Sequence, residues 1–221
     1  MFKRVVEAYI GEYASGKSEL AINRALDLCR DQEPVTLVDL DFVEPFYTLR
    51  PLKAYLEGLG LTVIGWGAGE SFGLGETGVY VKPAARWALW RPGHIILDVG
   101  YGVHGAASLN LVEGAWESSE LKVLAVINAS RPMTSSVSGI VDYVRSLGRV
   151  DGIINNTHLG DETSIEVVLE GLHLINEAAK IVEIPLLHST IVEKLKDETL
   201  NAGVDPNKVK TIKRYMPAAM W

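Results

Sequence analysis

The stretch VVEAYIGEYASGKSEL, residues 5–20, constrains this chain more than any other. A largely apolar run stops at Gly11. Five residues later Gly16-Lys17-Ser18 opens a helical pattern in which Ala21, Ala25 and Leu28 recur at helical spacing. The segment fits G-x-x-x-x-G-K-[ST] at Gly11, Gly16, Lys17 and Ser18. The spacing has a physical reason. Such a loop wraps a phosphate with successive backbone N–H groups, here those of Glu12, Tyr13, Ala14 and Ser15, and glycine permits the backbone angles required. The helix that follows offers unpaired N–H donors and the positive end of its dipole. Lys17 is placed to reach the β and γ phosphates and Ser18 to ligate Mg²⁺.

The rest of the chain alternates short β-branched runs with longer helical stretches. Strands are expected over 4–10, 35–40, 61–66, 94–99, 122–129, 150–157 and 182–189. Helices are expected over 17–30, 49–60, 81–91, 136–148 and 163–182. Strands alternating with helices of ten or more residues imply crossover connections and a parallel sheet. The strands are almost continuously apolar, as strands covered on both faces are. The expectation is one α/β domain over residues 1–221, a mostly parallel sheet with helices on both faces in three layers.

A phosphate loop makes two further demands, a carboxylate near Mg²⁺ and a group that orients water. HIILDVGYG ends a buried strand with Asp98, followed by Gly100 and Gly102. VTLVDLDFVEP ends another with Asp39 and Asp41. Asp98 alone is a strand-end turn residue; beside the phosphate loop it reads as a Mg²⁺ ligand, directly or through water. Asp39 and Asp41 alternate sides of their strand, so one of them is expected to face the site. Asp41 is assigned to water or Mg²⁺, with Asp39 as its helper.

With these three sites in place, the chain resembles the SIMIBI class of P-loop NTPases, and within it the MinD/Mrp/ParA-like ATPases. VTLVDLDFVEPFYTLR resembles that family's switch I, and IILDVGYG its Walker B strand and switch II. The resemblance implies that Gly102 supplies the N–H that senses the γ-phosphate. VLAVINASRPMTSSVSGIVDYV is similar to the strand and helix start that follow Walker B. GIINNT resembles the strand whose Asn contacts the purine base, here Asn156, although Asn also commonly caps turns. VEIPLLHS resembles the late Ile-Pro turn near the base, with Pro185. The family implies ATP hydrolysis, a homodimer and a protein partner. Two departures stand out. Glu12 occupies the position of the lysine that reaches across the family's dimer interface. Val99-Gly100-Tyr101 replaces the usual prolines of switch II. Cys29 lies in the first helix, so no paired-cysteine motif for cluster transfer is present.

Asn155-Asn156-Thr157-His158 carries no [NT]-K-x-D motif, so ATP is preferred over GTP. A net charge of −7 argues against a dedicated nucleic-acid surface. The basic stretch 208–216 is expected to be a solvated helix or strand edge. No segment approaches the ~18 apolar residues of a membrane span. The single cysteine and the absence of an apolar leader point to the cytoplasm. The glycine-rich stretch 65–80 reads equally as a lid or partner loop and as an ordinary surface loop. Trp87 and Trp90, one turn apart, are candidates for an exposed partner patch. The function expected is a Mg²⁺-dependent ATPase that acts as a switch on a partner protein. The alternatives are an ATP-dependent ligase or phosphotransferase of the dethiobiotin-synthetase kind, and a nucleotide-holding regulator with negligible turnover.

Overall fold

The computed structural model describes residues 3–41, 49–66 and 82–216. Part of the stretch that resembles switch I, residues 42–48, and most of the glycine-rich stretch 65–80 lie outside these residues.

In chain order the elements are β1 (Val6–Gly11), α1 (Lys17–Cys29), β2 (Val35–Leu40), α2 (Lys53–Gly58), β3 (Thr62–Ile64), α3 (Pro83–Arg86), β4 (His94–Tyr101), α4 (Gly102–Ala106), β5 (Leu121–Ile127), α5 (Val137–Ser146), β6 (Gly152–Asn155), α6 (Ile165–Val182), β7 (Leu186–Val192), α7 (Lys196–Asn201) and β8 (Val209–Ile212), with short 3₁₀ turns between some of them. The chain forms two compact units. One is residues 1–10 with 20–122; the other is residues 11–19 with 123–221.

In the first unit the strand order is β3-β2-β4-β1. β2 pairs parallel with both β3 and β4, and its register sets Asp39 opposite Asp98. β2 is buried at all six positions and β4 at seven of eight. Successive residues of a strand face opposite ways, so consecutive burial means that both faces are covered. Glu7 and Arg24 form a two-pronged pair at 3.0 Å, and Tyr9 donates to the same carboxylate. In the second unit the order is β5-β6-β7-β8, and each neighbouring pair is parallel. α5 starts where Ser136 accepts the Gly139 N–H at 3.1 Å, an N-cap. α6 ends at Glu183 in the left-handed conformation. The α/β class with parallel strands is therefore what the chain has.

Among the differences from expectation, two have a local cause. The helix expected over 81–91 is one turn, α3, followed by a 3₁₀ turn over Ala88–Trp90. Trp87 leaves helical geometry, and Pro92 forces Arg91 into extended backbone. This buries Ala85, Ala88 and Leu89 and leaves the Trp87 and Trp90 rings exposed, 4.7 Å apart. β7 runs three residues beyond its expected end, to Val192. Pro185 cannot donate to a ladder, so the strand starts after it. Among the described residues no helix is long and apolar enough to cross a membrane.

Candidate functional site

The loop between β1 and α1 is held in shape by its own backbone and by polar residues at the ends of the neighbouring strands. Ser15 N donates to the Glu12 carbonyl at 3.2 Å, and Lys17 Nζ donates to the same carbonyl at 3.1 Å. Lys17 is 6% exposed, so its ammonium is folded into the concavity of the loop. Glu12 turns back on the loop and accepts the Tyr13 N–H at 3.0 Å. Gly16 is left-handed at φ +86°, and so is Ala14 at φ +55°, where a Cβ is costly. Two donors fix Ala14 there. Arg131 Nε reaches its carbonyl at 3.2 Å and Asn128 Nδ2 at 3.4 Å. Space at the loop is already taken: a Cβ on Gly11 would stand 2.4 Å from the Val126 carbonyl oxygen. Ser18 follows Lys17 in the first turn of α1 and is half-buried.

Asn156 stands just past the end of β6 and is 4% exposed. Its Nδ2 donates to the Ser15 carbonyl at 2.7 Å, and its Oδ1 accepts from Thr190 Oγ1 on β7. The amide thus fastens the loop between β1 and α1 to the ends of β6 and β7. Beside it lies a small cavity of about 50 Å³, lined by Gly16, Glu19 and Arg214, by residues just past β6 and by the end of β7. His158, also on its wall, accepts the Gly160 N–H on Nδ1 at 3.2 Å. Burial, then the charges of Arg131 and Arg214, push its pKa down to about 4, so the ring is neutral at pH 7. Pro185 stands at the start of β7, where its carbonyl accepts from Ile153, and the structure does not bring it to the cavity. The residues that β7 does supply are Thr190, Ile191 and Val192.

In the first unit three aspartates lie on or just past β2 and β4. Asp98 is 1% exposed and stands in β4 three residues before its end, register partner to Asp39, the last residue but one of β2. Asp41 N donates to Asp39 Oδ1 at 3.0 Å. Asp39 packs toward Gly65, where a Cβ would come within 2.8 Å of its own. Asp41 faces Gly100. Burial pushes the Asp39 carboxyl up to about 7; the Asp41 N–H and the Arg50 charge oppose this, and the Asp41 carboxylate adds to it. Gly102 opens α4 in the left-handed region at φ +68°.

Residues absent from the sequence reading are Asn128, Arg131, Thr190, Glu19 and Arg214. Asn128 and Asn156 share a readable signal, a polar residue directly after a buried apolar strand. Glu19 and Arg214 have none, because their roles depend on contacts across most of the chain.

No protein-family model and no curated protein matches this chain. Solved structures do. Cell division protein FtsY from Thermotoga maritima is 19% identical, with a TM-score of 0.55, over 88% of this chain and 64% of its own. The signal recognition particle receptor FtsY from Elizabethkingia anophelis is 14% identical, with a TM-score of 0.57, over 89% of this chain and 62% of its own. FlhF complexed with GMPPNP and Mg²⁺ is 14% identical, with a TM-score of 0.54, over 86% and 67%. The chain thus spans a little under two thirds of the FtsY chains. At such identities the likeness is one of fold, and this chain has the P-loop NTPase fold that these structures share.

Proposed function

We propose that the protein is a Mg²⁺-dependent nucleoside-triphosphate switch, that ATP is its nucleotide, and that hydrolysis acts on a partner protein. The observation that carries this reading is the fastened phosphate loop. Lys17 donates to its Glu12 carbonyl, Asn156 clamps its Ser15 carbonyl, and a small cavity lies beside Gly16. Lys17 and the loop N–H groups hold the phosphates. Asn156, with no [NT]-K-x-D motif around it, favours adenine. FlhF, a fold neighbour, is seen with GTP, so both bases belong in the test.

The donor chemistry fits Mg²⁺. The ion prefers one or two carboxylates, hydroxyl or water oxygens and substrate phosphates to an all-protein cage. Among the described residues no cluster of three or more His, Cys, Asp or Glu is placed to form such a cage. Ser18 is the loop's own oxygen donor for the ion, whose charge would neutralise the phosphates; Asp98, Asp41, Asp39 and Gly102, all of the first unit, keep the roles that the family resemblance implies. Glu12 leaves no lysine to reach across a dimer, so a homodimer built on this reading must draw its activating charge from elsewhere.

The test is calorimetric titration with non-hydrolysable ATP and GTP analogues, with and without Mg²⁺. Mg²⁺-dependent binding of the ATP analogue is expected, weakened at least ~10–100-fold in Lys17→Ala by loss of a charged hydrogen bond. Folded protein that binds neither analogue would overturn the reading.

A further inference from the structure

Glu19 is a buried carboxylate that the phosphate chemistry does not use. It follows Lys17 and Ser18 in the first turn of α1 and is 6% exposed. Its two oxygens accept from consecutive backbone N–H groups nearly two hundred residues away, Tyr215 N at 2.8 Å and Met216 N at 2.7 Å. A carboxylate is the side chain that offers two strong acceptors at once with no hydrogen to misplace. It also suits the positive end of a helix dipole. Burial raises its pKa, and the two N–H groups and Arg214 draw it back.

The segment so captured is a wall of the cavity. After β8 the chain passes Ile212 and Arg214, both of which line it, and reaches the two N–H groups that Glu19 holds. Arg214 is further tied to Asp161, beside the Gly160 that lines the same cavity.

Resting on the nucleotide-binding reading above, we infer that Glu19 is a positioning residue. It fixes the segment Ile212–Met216 as a wall of the cavity beside Gly16, where the proposed function puts the nucleoside, and so governs affinity for the nucleoside part of the ligand, not for its phosphates.

The test compares the affinity of the full-length protein for a non-hydrolysable ATP analogue with its affinity for inorganic tripolyphosphate, each with Mg²⁺. Glu19→Ala is expected to weaken the nucleotide roughly tenfold or more while tripolyphosphate stays within about twofold. Glu19→Gln, which keeps one acceptor, should fall between. Tyr215→Pro removes one of the two donors and leaves Glu19 intact, so it should reproduce the loss, whereas Tyr215→Ala keeps the N–H and should not. Tyr215→Pro also serves should Glu19→Ala fail to fold, as judged by circular dichroism. If the two affinities fall together, or if neither falls, the inference is overturned. If the wild-type protein binds no nucleotide at all, the nucleotide reading itself fails.

Discussion

Asn156→Ala should cost the protein about 2–4 kcal/mol. The side chain is 4% exposed and spends both ends of its amide, Nδ2 on the Ser15 carbonyl at 2.7 Å and Oδ1 on Thr190 Oγ1. Truncation leaves the Ser15 carbonyl without this donor, and an unsatisfied buried group costs ~1–3 kcal/mol. The Thr190 hydroxyl loses less, because the Asn155 carbonyl lies 3.3 Å away as a second acceptor. A small void adds the remainder. For a chain of this length each kcal/mol moves the melting point by ~2–4 °C, so a fall of roughly 4–16 °C is expected. Circular dichroism melts of Asn156→Ala, Thr190→Val and the double variant make the assay. The two single costs should not add, since both remove the same hydrogen bond. An Asn156→Ala protein that melts within about 1 °C of wild type would refute the claim that this amide clamps the loop.

Gly11→Ala should be destabilised by ~1–3 kcal/mol in urea titrations, because the new methyl would meet the fixed Val126 carbonyl oxygen at 2.4 Å; a midpoint equal to wild type would show that β5 yields there. Acidification should weaken the fold through His158. Its folded pKa of about 4 lies below the unfolded value near 6.5, so the unfolded chain takes up the proton first. Stability from this group is complete above pH 6.5 and is lost as the pH falls toward 4, by up to about 3 kcal/mol. His158→Gln should flatten the pH dependence of the urea midpoint over that window, and an unchanged slope would contradict the assignment.

The parts of the molecule legible in the sequence are those fixed by local pattern. β2 lies over 35–40 as its unbroken apolar run requires, and α1 begins at Lys17 because the glycine turn leaves it nowhere else to begin. Asp98 lies on the strand expected over 94–99, which runs two residues further, to Tyr101. Other features depend on tertiary geometry. Nothing around Pro185 reveals that β7 continues past Ser189, because a strand's end is set by its neighbours' lengths. Arg131 sits in a polar loop that reads as solvent-facing, yet its Nε is spent on Ala14. Glu19 looks like an ordinary acidic residue in a first helical turn until the far end of the chain arrives to cover it.

The basic run at 208–216 gains a meaning from the strand order. β8 pairs with β7 on one side and closes the row of its unit. A terminal strand of this kind is a template on which another chain can add itself, and natural sheets discourage such growth with lysine. β8 is four residues long, carries Lys210 at its one fully exposed position, and is flanked by Lys208 and Lys213. Like charges from two molecules brought edge to edge would repel each other. The basic stretch that reads in the sequence as a solvated helix or strand edge is in fact an edge strand, with its lysines placed where they would discourage such pairing.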